Sequence, residues 1–119
     1  MKILKSFGYA WKGILYCFFM EINFKVHFIL AFITIVFSIY FDLSAKEWIV
    51  VIICIAAVLA LEMLNTAIEH ICNRFCPSID PQVKIIKDVA AGSVLVAAIG
   101  SACIGTLIFL PKLLTALNK

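Results

Sequence analysis

The chain has 119 residues, of which 65% are hydrophobic and only 14% charged, well below the roughly 25% charged residues of a soluble domain. So few charges cannot cover a globule of this size, which excludes a water-soluble fold and points to a membrane protein. The net charge of +3 comes from lysines scattered at the ends of apolar runs, where their stems snorkel, so no phosphodiester-binding stripe exists and nucleic acid is not an expected partner.

From residue 3 to 19 the apolar residues Ile3, Leu4, Phe7, Trp11, Ile14, Leu15 and Phe18 recur as a helical stripe, while Lys5, Tyr9, Lys12 and Tyr16 share another face. This segment is too lysine-punctuated to span and suits an amphipathic helix lying in the headgroup layer. The apolar stretch Ile14 to Met20 runs into Glu21 without a small-residue cleavage site, so no signal peptide is expected to be removed. A first span is predicted over about 22–41, with Asn23, Lys25 and His27 at its start. A short turn over 42–47 follows. Trp48, favoured at an interface, opens a second span over about 48–72. The segment 73–82 contains Pro77 and Pro81 and reads as a loop, after which a third span is predicted over about 83–110, with Pro111 marking its far end. The whole chain, residues 1–119, is one all-α integral-membrane domain in this reading.

Lys2, Lys5, Lys12 and Lys25 precede the first span, and Arg74, Lys84 and Lys87 flank the second loop, against Lys46, Lys112 and Lys119 on the other side. The bias places the N-terminal helix and the 73–82 loop in the cytoplasm. The five cysteines form no even framework, and Cys54 and Cys103 lie inside apolar runs where sulfur packs as a small hydrophobe. His70, Cys72 and Cys76 fit no common zinc spacing, and packing is their simpler role.

Glu62, Asn65, Glu69 and Asn73 fall within ~80° of one another on a single helix face. At ~1.5 Å per residue from Trp48, Glu62 lies ~21 Å across and Glu69 ~31 Å, against a hydrocarbon thickness of ~30 Å. The same arithmetic puts Glu21 ~30 Å from Phe41 and Asp88 ~34 Å from Pro111. Four carboxylates therefore converge at one interface, together with Lys87, Asn23, Lys25 and His27. An ionised carboxylate at the depth of Glu62 costs several kcal/mol on most scales and needs water, a partner or a raised pKa. For Glu21, Glu69 and Asp88 taken singly, solvated helix ends are the ordinary explanation; the joint pattern is what points to a site. Oxygen ligands suit a hard cation such as magnesium, lysine suits phosphoryl oxygens, and a deeper glutamate suits a general base. Together they meet the needs of phosphoryl transfer to a lipid hydroxyl, although no Gly-rich nucleotide loop or protein-kinase signature is present.

The runs Leu61-Glu62-Met63-Leu64-Asn65-Thr66-Ala67-Ile68-Glu69 and Lys87-Asp88-Val89-Ala90-Ala91-Gly92-Ser93-Val94-Leu95 resemble the signature of the bacterial integral-membrane diacylglycerol kinase and undecaprenol kinase family. Phe7-Gly8-Tyr9-Ala10-Trp11-Lys12-Gly13 and Glu21-Ile22-Asn23-Phe24-Lys25-Val26-His27 are similar too, so the resemblance covers about residues 5 to 111. It implies a homotrimer of three-span subunits with an amphipathic surface helix and active sites shared between neighbours at the cytoplasmic face of the bacterial inner membrane. It implies Glu62 as general base on the lipid hydroxyl with Asn65 one turn away, and Glu21 and Glu69 as ligands of ATP-bound Mg2+. Tyr9, Lys87 and Asp88 join Glu21 and Glu69 at the ATP in this reading. Asn73 departs from the Asp that the family usually carries there. The Glu21 to His27 run and the Glu47-Trp48 turn look more similar to the undecaprenol kinase branch, which favours undecaprenol over diacylglycerol as acceptor.

A small proton-coupled membrane transporter is the alternative, since it too carries few spans and one embedded glutamate; its site belongs near midplane, whereas these charges gather at one face. A non-enzymatic assembly protein would use the small-residue stripe Ala90, Ser93, Ala97, Ser101 and Gly105 only for close helix contact.

Overall fold

The computed structural model describes residues 1–119 and is entirely helical: α1 (Lys2–Met20), α2 (Ile22–Tyr40), α3 (Ala45–Phe75) and α4 (Pro81–Leu117). The last three are long and apolar enough to cross a membrane. Only Glu21 separates α1 from α2. Its backbone is extended at φ −110° and ψ 116°, which breaks the helix in one residue and turns α1 away from the first span.

The connection from α2 to α3 is built from local chemistry. Asp42 takes φ 54°, its N–H donating to the Ile39 carbonyl at 3.2 Å while Leu43 N–H donates to the Ser38 carbonyl at 3.2 Å. This is the Schellman pattern, with Asp where glycine is usual and Leu43 buried beneath it. Ser44 then caps α3, its hydroxyl oxygen accepting from the Glu47 N–H at 3.3 Å.

Four expected boundaries move. The second span starts at Ala45 and ends at Phe75 rather than running over 48–72, because the Ser44 cap begins the helix ahead of Trp48. The expected loop over 73–82 shrinks to 76–80: Asn73, Arg74 and Phe75 stay helical, and Pro81 opens α4 behind Asp80, whose carboxylate accepts from the Gln82 N–H at 2.8 Å. Proline suits the first helical position, where its missing N–H is not needed. Pro111 does not end the last helix, which continues to Leu117. Only the hydrogen bond to the Leu107 carbonyl is lost there, and the Thr115 hydroxyl donates to the Pro111 carbonyl at 2.9 Å one turn on.

The central helix is α3. It packs closely along α4 and also meets α2 and α1, whereas α2 and α4 do not pack along one another. Residues Phe24, His27, Ala31, Thr34 and Ser38, spaced three and four apart, form the least exposed face of α2. The intramembrane hydroxyls are satisfied within the helix, Ser38 donating to the Thr34 carbonyl at 2.7 Å and Thr34 to the Leu30 carbonyl at 2.8 Å. Phe18 stacks edge-on against Phe28 at 5.1 Å, tying α1 to α2. At the opposite end Lys112 pairs with Glu47 at 3.2 Å, tying α4 to the start of α3. Of the small-residue stripe on α4, Ala90 is buried, but Ser101 and Gly105 line an open cavity instead of touching another helix. Only 12 of 119 residues are buried, so most of the apolar surface faces outward, as it does in lipid.

A β-branched residue in the left-handed region costs about 1–2 kcal/mol. Asp42→Val is therefore expected to lower the thermal midpoint in detergent, while Asp42→Gly holds or raises it. Equal midpoints for the two variants would show that the turn is not held as described.

Candidate active site

Where α3 nears its second half the buried face turns polar. Glu62 is 4% exposed, with Val58 one turn before it and Asn65 and Thr66 one turn after, all buried. Opposite stands His27 of α2, its Nε2 3.7 Å from Glu62 Oε2, the two side chains 22% and 5% exposed. The Asn65 carbonyl oxygen is buried without a hydrogen-bond partner. Such an acceptor costs about 1–3 kcal/mol and belongs where a ligand or water can answer it.

A second group forms at the α1–α2 hinge. Glu21 Oε1 lies 3.6 Å from His70 Nε2, an ion-pair distance rather than a hydrogen bond. The Tyr16 hydroxyl stands 3.4 Å from the same nitrogen, and the two rings meet edge to face at 5.6 Å. Glu21 and Glu69 are both near enough to act on the charge of Glu62. The two groups are thus one acidic centre built from the hinge and α3.

No three His, Cys, Asp or Glu side chains cluster tightly enough to hold an ion by themselves. Magnesium takes one or two carboxylates, keeps several waters and completes its shell with substrate phosphate. Half-buried Glu21, at the hinge, and Glu69, on α3, are hard oxygen donors of the kind that demand calls for.

The cationic side of the site lies across the α3–α4 loop. The Lys87 ammonium donates to the Asn73 carbonyl oxygen, a neutral partner that holds the lysine without neutralising it. Asp88 pairs with Lys84 at 2.7 Å and not with Lys87. Tyr9 is exposed on α1, with the Lys12 ammonium 5.9 Å from its ring centre. The chain therefore brings Glu62, Asn65, Glu21 and Glu69 into one region, while Tyr9, Lys87 and Asp88 take other near neighbours.

Sequence reasoning places His27 among the charges at this interface without pairing it with Glu62, and it assigns His70 and Tyr16 no part beside Glu21. The spacing of His27 with Phe24, Ala31 and Thr34 marks it as inward-facing, but which carboxylate it meets depends on how α2 lies on α3. His70 is off the face shared by Glu62, Asn65, Glu69 and Asn73, and only the hinge brings Glu21 to it.

Beneath His27, α2, α3 and α4 enclose a cavity of about 310 Å³. Leu30, Thr34, Val58, Leu59, Ala98 and Phe109 are among its mostly apolar walls. Glu62 stands one helical turn beyond Val58, next to His27, which lines the cavity.

Cys17 on α1 is buried. Burial first, and the nearby Glu21 carboxylate second, push its thiol up from the ordinary range, so less thiolate forms at neutral pH and alkylation is slow. Cys76, exposed in the loop, is expected to be alkylated first at pH 8, with Cys17 modified only after denaturation. Peptide mapping after timed maleimide treatment checks the order.

Residues 8–109 match the prokaryotic diacylglycerol kinase family. Over 112 residues the chain is 40% identical to the undecaprenol kinase of Bacillus subtilis (strain 168), covering 94% of this chain and 91% of that protein. It is 36% identical over 115 residues to a diacylglycerol kinase of Synechocystis, covering 96% of this chain and 66% of that protein. The diacylglycerol kinase of Escherichia coli (strain K12) is 28% identical over 98 residues, which cover 82% of this chain and 80% of that protein.

Proposed function

Because the chain belongs to the prokaryotic diacylglycerol kinase family and is a membrane lipid kinase, we propose that it moves the γ-phosphate of ATP, with Mg2+, to the primary hydroxyl of undecaprenol, with diacylglycerol as the second acceptor. The observation that carries this reading is the buried Glu62 facing His27, a residue that itself lines an apolar cavity between α2, α3 and α4. The similarity to the Bacillus subtilis undecaprenol kinase, at 40% identity, favours undecaprenol as the acceptor. Family membership displaces the transporter alternative.

In this reading the acceptor hydroxyl reaches Glu62 from the bilayer side, and Glu62 takes its proton as the oxygen attacks. Asn65, with its unanswered carbonyl oxygen, meets the acceptor's polar end. Glu21 and Glu69 hold the magnesium, which when bound neutralises phosphate charge and orients the terminal phosphate. Lys87 places its positive charge on phosphoryl oxygens, and Asp88 and Tyr9 complete the nucleotide site. In this reading the family resemblance implies a homotrimer in which neighbouring copies share each site. The broad exposed apolar surface leaves room for such contacts.

Three results test the chemistry. Labelled phosphate from ATP is expected in extracted undecaprenol faster than in diacylglycerol, and the reverse order would overturn the acceptor assignment. Glu62→Gln, which keeps shape and loses basicity, should lower turnover by ~10² to 10⁴ while ATP binding survives. Glu21→Gln and Glu69→Gln should each raise the magnesium concentration needed for half-maximal rate; unchanged magnesium dependence in both removes them from the metal site.

The lysine and arginine bias supports insertion in the bacterial inner membrane with the site on the cytoplasmic face. In a chain without its native cysteines, Lys46→Cys should react with an impermeant maleimide on intact cells and Ser78→Cys only after permeabilisation. The opposite pattern inverts the orientation.

A further inference from the structure

The proton that Glu62 takes from the acceptor must leave again, and Glu62 has almost no surface through which to release it, its side chain being 5% exposed. Its one ion-pair neighbour is His27, 3.7 Å away and more open at 22%. The ring is fixed by the α2 face that packs inward, where its companions Phe24, Ala31, Thr34 and Ser38 are apolar or satisfied within the helix. An imidazole contributes nothing to that packing that an apolar ring would not. His27 also lines the apolar cavity, so it borders both the carboxylate and the space taken by the acceptor chain. The other charged groups acting on Glu62 are Glu69 and Glu21, both committed to the magnesium side and unable to accept a proton without losing that role.

We propose that His27 is the proton acceptor behind Glu62, working through it as a positioning and relay residue for phosphoryl transfer. This rests on the kinase reading above. The acceptor oxygen forms its bond to the γ-phosphorus as the bond from that phosphorus to the β–γ bridging oxygen breaks, and ADP leaves with the electron pair. The hydroxyl proton passes to the Glu62 carboxylate and then to Nε2 of neutral His27. The imidazolium and carboxylate are briefly an ion pair, which favours the transfer, and the imidazolium then loses a proton to interfacial water. Both groups return to their starting forms. The separation of 3.7 Å is what a resting site shows before substrate draws the pair together.

The test is the full-length enzyme in detergent micelles with undecaprenol and ATP. His27→Ala is expected to lower kcat by roughly tenfold to a hundredfold, the lower end of general acid–base contributions, with KM for ATP unchanged. The space left beside the cavity admits free imidazole, and tens of millimolar imidazole should restore much of the lost kcat in His27→Ala but none in Glu62→Gln. A purely structural histidine would show no such rescue. His27→Gln, which fills the space without taking a proton, should lose kcat to a similar extent and serves if the alanine variant does not hold its fold. Near-normal kcat in His27→Gln, or a folded His27→Ala whose loss imidazole does not repair, overturns the relay. If the wild-type chain phosphorylates neither lipid, the kinase reading fails and the relay with it; if it is active and only the histidine variants depart from expectation, the relay alone falls.

Discussion

A carboxylate withdrawn from water at the edge of a hydrocarbon layer costs several kcal/mol unless another group answers its charge, and the placement of Glu62 imposes that demand on the helices around it. The one basic side chain within 4 Å of Glu62 comes from α2, so α2 lies against α3 in a register that delivers His27. That register is set by the inward face running from Phe24 to Ser38 and is held at one end by the turn through Asp42, while the Phe18–Phe28 contact fixes α1 against α2. In lipid, apolar burial gives little drive for helix association. Polar and aromatic contacts of this kind therefore fix the arrangement, with the Glu47–Lys112 pair closing the far end.

The charges around the α3–α4 loop are held more loosely. Lys84 and Asp88 form an exposed pair one helical turn apart, a kind worth about 0.3–0.5 kcal/mol. Lys87 leans on the neutral amide of Asn73. Neither arrangement holds its lysine against a phosphate, for which charge-assisted hydrogen bonds are stronger. The rigid part of the molecule thus carries the carboxylates and the easily redirected part carries the cations, a division suited to a nucleotide that arrives and leaves while the acceptor site stays formed.

Much of this architecture was legible in the sequence. Apolar run length gave the three spans and lysine punctuation set the surface helix apart, because both depend on local composition. The polar face of α3 followed from spacing alone. What was not legible depends on cap chemistry or on packing between helices. Pro81 reads as part of a loop, yet it occupies the first position of α4, and Pro111 reads as a helix end, yet α4 continues through it to Leu117. The left-handed Asp42 had no glycine to announce it. The partners His27 and His70 are invisible to periodicity, since a period says which residues share a face and nothing about which faces meet. Asn73 read as a lost charge, and its contact with Lys87 gives that change a different meaning.

The single-residue hinge at Glu21 ties the acidic centre to the dimensions of the bilayer. The 19 residues of α2 measure ~28 Å, close to the ~30 Å of hydrocarbon they cross, whereas the 31 residues of α3 measure ~46 Å and extend beyond it. A change in thickness is met by tilt, and a short span tilts differently from a long one. With no slack between α1 at the headgroups and α2 in the core, such a mismatch displaces the Glu21 carboxylate relative to Glu62 and Glu69. Membrane thickness is therefore a mechanical input to this site, transmitted through one extended residue.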